Sequence, residues 1–296
     1  MQNAEPLALP AAHERPRANL GAIAQRALRH ALIAVVFVYL SVVLVGPLVA
    51  LLVESTEIGL AELIGAISTP TARYALGMSF ALVSIAVVVN AVVGTIGAIV
   101  IVRHRFPGRA LISAIADLPL AVSPVMIGLA FILLFGRDGW FSSTVGLLGL
   151  KILFSFPGLL IATLFVTLPY TIREVAYLLN ELGTSEEEAA TTLGASPLQT
   201  FFRVTLPNIR LALGYGLLMT AARGFGEFGA VLVLGGSIAG KTQTATTFIH
   251  DAIEERDLAG AYGMALLLAA MSIGLLSLLE LLGRNERSAQ RSEVSR

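Results

Sequence analysis

Glu188-Ala189-Ala190, three residues, Gly194, nine residues, then Val204-Thr205-Leu206-Pro207: this hydrophilic run lies between strongly apolar stretches and decides how the chain is read. Ser185 followed by Glu188 fits a capping box, and the acidic Glu186, Glu187 and Glu188 favour a helix N-terminus. A short helix over about 186–193 is expected, stopped by Gly194 in a left-handed C-cap conformation. Ser196-Pro197 then supplies an N-cap and first helical residue for a second helix carrying Leu198, Phe201 and Phe202. The loop 182–210 is therefore an elbow of two helices, with Ala189, Ala190 and Ala195 near the bend and aromatic side chains available for contact.

Composition sets where such an elbow sits. Apolar residues make up 56% of the chain, charged residues 14%, and the formal net charge is zero; the mean hydropathy is +0.81. Soluble domains carry about 25% charged residues, so this chain belongs in a bilayer. The absence of cysteine removes disulfides and thiolate metal sites. A crossing helix needs about 20 apolar residues. Six stretches qualify, at about 31–53, 76–102, 110–135, 152–172, 211–234 and 261–282. The runs are too long, and alternate too little, for barrel strands. The expected fold is an all-α polytopic membrane protein with six transmembrane helices. The first stretch reads as a retained anchor rather than a signal peptide, after a polar tail over 1–30, and a second tail covers 283–296.

Arginine and lysine set the orientation. With the N-terminus inside, the inner segments hold Arg15, Arg17, Arg26, Arg29, Arg103, Arg105, Arg109, Arg173, Arg203, Arg210, Arg284, Arg287, Arg291 and Arg296. The outer segments hold Arg73, Arg137, Lys151, Lys241 and Arg256. Fourteen against five predicts cytoplasmic N- and C-termini and a cytoplasmic elbow.

Three charges fall inside apolar stretches. Asp117, Arg223 and Glu227 each cost about 2.5–3.5 kcal/mol at a bilayer centre, so they should face the bundle interior or water. Arg223 and Glu227 are one helical turn apart and can pair. Two readings stand side by side: a translocation pathway lined by Asp117, Ser123, Arg223 and Glu227, with Arg223 meeting an anion, or a structural pair that fixes helix packing beside Gly224, Gly226 and Gly229.

Two other motifs are set aside. Gly235 to Thr242 fits G-x4-G-K-[ST], a phosphate-binding loop. A short outer segment between two spans supplies no parallel sheet or base pocket, so a glycine-rich turn is expected. His250-Asp251 with Glu254, Glu255 and Asp257 reads as a solvated charged turn rather than a cation site. No metal site, no catalytic triad and no paired catalytic carboxylates emerge, so the chain itself is expected to be non-enzymatic.

The Glu-Ala-Ala…Gly…Val-x-Leu-Pro run resembles the loop by which permease subunits of binding-protein-dependent ABC importers dock onto their ATPase, with Val204 in place of the usual isoleucine. Further strings carry the likeness over about 70–282. They are Asp117-Leu-Pro-Leu-Ala-Val-Ser-Pro-Val-Met-Ile-Gly-Leu, Gly139-Trp140-Phe141, Thr205-Leu-Pro-Asn208, and Ala222-Arg223-Gly-Phe-Gly-Glu227-Phe228-Gly229. These are similar to permease subunits of sulfate/thiosulfate importers, of the W-type, with molybdate and tungstate permeases as relatives; Thr244–Asp257 departs from the sulfate pattern. The resemblance implies a type I ABC importer permease fold in the bacterial inner membrane. It assigns Glu188, Ala189, Ala190, Gly194, Val204, Leu206 and Pro207 to an ATPase-coupling loop. It also implies an ABC ATPase dimer that uses ATP and Mg, a second permease subunit (a homologue or a second copy) and a periplasmic oxyanion-binding protein. No cofactor is expected on this chain, and no nucleic acid. An ATP-independent secondary transporter is the competing class; it predicts matched internal repeats, and none is evident between 31–172 and 173–282.

Overall fold

The computed structural model describes residues 20–294, with side chains for 28–278, 280 and 281. Of the tails expected at 1–30 and 283–296, residues 1–19 and 295–296, with Arg15, Arg17 and Arg296, lie outside the described residues. The described backbone contains helices and turns and no strand.

The described residues divide into two compact units, one up to Val53 and one from Glu54. Helix α1 (Leu20–Leu40) passes through a π-helical turn at Ser41–Val45 into α2 (Gly46–Ile58). Over Leu28–Ile58 this is an apolar span of 31 residues, longer at both ends than the expected 31–53.

The second unit continues with α3 (Leu60–Ile67), α4 (Pro70–Arg103), α5 (Arg109–Ala121), α6 (Pro124–Phe135), α7 (Ser142–Leu147), α8 (Phe156–Leu182), α9 (Ser185–Thr192), α10 (Pro197–Thr200), α11 (Leu206–Phe225), α12 (Gly229–Gly235), α13 (Ala245–Glu254) and α14 (Leu258–Val294). Its centre is the trio α4, α8 and α11. Lipid tails are as apolar as leucine, so burial alone does not hold such helices together; close backbone approach and interhelical hydrogen bonds do. Both are present around Thr171 of α8. Gly94 of α4 lies against its side chain and Gly216 of α11 against its Cα, so that a Cβ added to either glycine would come within 2.7 and 2.8 Å. The hydroxyls of Thr171 and Thr220 are 3.1 Å apart, and Asn90 of α4 donates to the Thr167 hydroxyl at 2.9 Å. All four of these polar side chains are fully buried.

Two expected crossings are broken. The 110–135 stretch is α5 and α6, bent by 117°. Pro124 at the start of α6 disfavours helical backbone at the residue before it, and Val122 and Ser123 are extended, with ψ of 139° and 135°. The 211–234 stretch is α11 and α12, bent by 55°. The fourth span is displaced from 152–172 to Phe156–Leu182: Pro157 occupies the first turn, where its missing N–H costs nothing, and Pro169 is accommodated inside the helix. Among the described residues, four helices are long and apolar enough to cross a membrane unbroken, and up to six crossings result if each bent pair is one span.

The trio's packing makes one firm demand. Gly216→Ala sets a methyl against the Thr171 backbone and is expected to cost about 1–3 kcal/mol of stability, read as a lowered unfolding midpoint of the detergent-purified protein; Gly214→Ala, where a Cβ meets nothing within 4 Å, leaves the midpoint in place.

Candidate functional site: the elbow and the broken helices

The elbow begins where α8 ends at Leu182 and the chain turns at Gly183. The N-cap of α9 is Thr184 rather than the expected Ser185, which is the first helical residue. The Thr184 hydroxyl donates to Glu188 Oε1 at 2.7 Å, so the expected box between Ser185 and Glu188 does not form. Gly194 has φ of +86°, a left-handed conformation that side chains resist, and the N–H groups of Gly194 and Ala195 close the turn on Thr191 and Ala190 carbonyls. α10 opens as its sequence demands, with Ser196 as N-cap and Pro197 behind it. Gln199 completes a reciprocal capping box, a Ser-x-x-Gln signal that the sequence carries and the reading above missed. A π-helical turn over Phe201–Thr205 then leads into α11, with Pro207 in its first turn.

Glu186 and Glu187 turn towards the bundle. Glu187 pairs with Arg103 at the end of α4, Nε to Oε2 2.9 Å, and accepts from the Thr205 hydroxyl at 2.9 Å. Glu186 accepts from the Asn208 amide. Arg103 also donates to the Leu179 and Gly183 carbonyls at 2.9 and 2.7 Å. The opposite side of the elbow is open: Glu188 and Ala189 are exposed, Ala190 half-buried, and Leu193, Leu198 and Phe202 expose 89%, 70% and 60% of their surface. Three large apolar side chains on a hydrophilic loop form a contact surface rather than a core. Of the remaining residues assigned to the loop, Val204 and Leu206 are half-buried and Pro207 is exposed.

The charges expected along a pathway do not gather into one cluster. Arg223 Nη1 lies 2.7 Å from Glu227 Oε2, one turn apart as expected, the carboxylate 1% and the arginine side chain 27% exposed. Glu227 also accepts from the Ala230 N–H at 3.1 Å, so it caps α12 across the break. Asp117 instead pairs with Arg173 of α8 at 2.7 Å, and both side chains are exposed. Ser123 is the N-cap position of α6 and makes no side-chain cap bond.

The phosphate-loop string is a closed turn. Thr242 is fully buried, donates its hydroxyl to the Gly235 carbonyl at 2.7 Å and accepts from the Ile238 N–H at 3.1 Å. The hydroxyl that would serve a metal-bound nucleotide is therefore engaged. Of the charged turn expected at 250–257, His250 to Glu254 are the end of α13, and an exposed turn at Glu255 and Arg256 follows. Asp251 accepts from Ser237 and Gln243, at 2.5 and 2.6 Å, and pins the preceding loop. His250, Asp251 and Glu254 have ligand atoms within 4.8 Å of one another, but one Asp251 oxygen is already taken by those two bonds.

The family described as binding-protein-dependent transport system inner membrane component matches residues 90–287. The chain belongs to that family. Its relatives include the sulfate transport system permease protein CysW of Synechocystis sp., 44% identical over 86% of this chain and 92% of that protein. The CysW protein of Escherichia coli is 38% identical over 85% and 88%. The CysT protein of Salmonella typhimurium is 33% identical over 80% and 86%. Among solved structures, a bacterial alginate ABC transporter in complex with an alginate pentasaccharide-bound periplasmic protein has a chain that superposes with a TM-score of 0.74. The two are 14% identical, over 90% of this chain and 96% of that one. The chain therefore has the type I importer permease fold and is a multi-pass membrane protein.

Within this permease, Arg103, Thr205 and Asn208 hold the elbow to the bundle, a contact the sequence reading did not give them although it quoted Thr205 and Asn208 in a family-like string. No local signal marks Arg103, which meets partners 76 to 84 positions away. Breaking the buried pair at the α11–α12 joint has a defined cost. Glu227→Ala removes both the ion pair and the cap and is expected to destabilise by about 3 kcal/mol or more, whereas Glu227→Gln retains the acceptor for the Ala230 N–H and loses clearly less; thermal unfolding of the two variants side by side checks the order.

Proposed function

We propose that this chain is the channel-forming permease subunit of an ATP-driven sulfate/thiosulfate importer in the bacterial inner membrane. The observation that carries the reading is the elbow itself. A family-typical Glu-Ala-Ala…Gly loop presents Leu193, Leu198 and Phe202 outward while its acidic residues tie it to the bundle. Partner ATPases, working as a dimer with ATP and Mg, dock on that outward face; this chain hydrolyses nothing. A second permease subunit completes the channel, and the sulfate permeases among the relatives come in a W and a T kind, which favours a homologous partner over a second copy. A periplasmic oxyanion-binding protein delivers the solute. Both chain termini and the 182–210 loop are cytoplasmic, in keeping with the arginine distribution.

The pathway reading of Asp117, Ser123, Arg223 and Glu227 divides by role. Glu227 holds α12 and neutralises one side of Arg223, whose part-exposed guanidinium is the group to meet a dianion. The exposed Asp117–Arg173 pair would be costly against hydrocarbon, each charge about 2.5–3.5 kcal/mol, so that face of α5 and α8 turns to the aqueous path or to the second subunit.

Two measurements test the proposal. In vesicles holding the assembled complex, labelled sulfate accumulates only with ATP and binding protein, and excess molybdate leaves most of the uptake intact. Uptake driven by a proton gradient without an ATPase overturns the importer reading, and full competition by molybdate moves the substrate to that oxyanion. On the docking face, Leu193→Asp with Phe202→Asp places two charges in a desolvated contact and is expected to strip the ATPase from the copurified complex, while the lone permease keeps its unfolding midpoint.

A further inference from the structure

We propose that Arg103 is a positioning residue of the transport cycle, the guanidinium through which movement of the α9 elbow reaches α4 and α8 of the core. The inference rests on the reading of 182–210 as the ATPase-coupling loop and goes beyond it by naming the joint.

The geometry is specific. Arg103 ends α4, and its fork donates to the Leu179 carbonyl in the last turn of α8, to the Gly183 carbonyl just past it, and to Glu187 of α9. Glu187 in turn accepts from Thr205 at the threshold of α11. One arginine–glutamate pair thus ties together α4, α8, α9 and the entry to α11, the trio at the centre of the fold plus the helix that lies outside it. The guanidinium suits the place electrostatically, since the last carbonyls of α8 have no partner within their helix and carry the negative end of its dipole. The pair is partly buried, 14% and 22% exposed, so water screens it less than a surface pair. A planar fork holds three directions at once, which a lysine ammonium on a flexible stem does not reproduce.

The surroundings favour a pivot rather than a rigid weld. A cleft of about 270 Å³ opens beside the clasp, between Ile99 of α4 and the two limbs of the elbow at Thr191, Ala195 and Phe201. The cleft is open to solvent rather than filled by side chains, so it leaves α9 room to tilt. Its polar side-chain ties to the bundle, among the described residues, run through Glu186 to Asn208 and through Glu187 to Arg103 and Thr205. A push on the outer face of α9 is then carried inward at Arg103, where α4 and α8 are held together.

The test uses the assembled complex in vesicles with ATPase, partner subunit and binding protein, and reads labelled sulfate moved per ATP hydrolysed. Coupling between distant sites is typically 5–150-fold, so Arg103→Gln is expected to copurify with the ATPase and keep hydrolysing ATP while uptake per ATP falls about tenfold. Arg103→Lys, with charge but no fork, restores part of the ratio. Glu187→Gln, which removes the charge facing Arg103 and leaves the bonds of Arg103 to the Leu179 and Gly183 carbonyls intact, gives the same kind of loss and serves if Arg103→Gln does not accumulate. Wild-type ratios in these variants overturn the inference alone, as does a loss of hydrolysis in step with uptake, the mark of a merely structural contact. A wild-type chain that brings down no ATPase overturns the coupling-loop reading, and this inference with it.

Discussion

Thr171 is where three helices meet, and the rest of the bundle is arranged around what that meeting requires. A helix pair in lipid gains nothing from hiding one apolar side chain against another that hydrocarbon would not supply equally well. What it gains is contact distance and hydrogen bonds, and both call for small or hydroxylated residues. Gly94 and Gly216 let α4 and α11 approach α8 from two directions. Thr163, Thr167 and Thr171 repeat every fourth residue on the buried side of α8, with Asn90 and Thr220 set against them. The hydroxyls of Thr163 and Thr167 also return to carbonyls four residues earlier in their own helix, so the polar seam leaves few bonds unmade in a place without water.

The same accounting explains how helices can break inside such a bundle. At the end of α11 the chain leaves helical geometry at Gly226 and re-enters it at Gly229, which exposes N–H groups that need acceptors. Glu227 supplies one through its side chain, its own carbonyl accepts from Thr246 at 2.6 Å, and Arg223 balances its charge. The loop that follows is closed by Thr242 and by Asp251 in the same way. Glu227, Thr242, Thr246 and Asp251 therefore serve backbone and loop groups where the chain is irregular.

The legible part of the sequence was its local physics. Hydropathy gave the number of apolar stretches, and cap chemistry placed Ser196, Pro197 and Gly194 in the roles the structure assigns them. Fourfold spacing gave the pairing of Arg223 with Glu227. Other features were illegible because they depend on contacts far apart in sequence. Asp117 looked like a lone charge on an apolar helix until Arg173, 56 residues on, came beside it. The kink at Ser123-Pro124 was written in the dipeptide, yet only packing decides whether a proline bends a span slightly or folds it back by 117°. The Gly235–Thr242 string is a complete motif match that context overrode: the glycine-rich turn expected there is formed, and the threonine hydroxyl is spent closing it.

Exposure has to be judged against the solvent that each surface meets. Val35, Phe37 and Val42 show more than 60% of their surface, and for a helix whose neighbours are acyl chains that is the ordinary state. Leu193 shows 89% in a stretch, 185–196, whose other members are Glu, Thr, Ser, Ala and Gly, and there the same number carries a cost, about 25 cal/mol for every Å² of apolar surface left in water. Folding within this chain does not recover that cost, since Glu186 and Glu187 have turned the acidic side of α9 inward to Arg103, Thr205 and Asn208 and so directed Leu193 away from the bundle. An element that satisfies its charges internally and leaves its apolar residues in water inverts the usual arrangement of a soluble loop. The inversion makes physical sense for a surface completed by another protein.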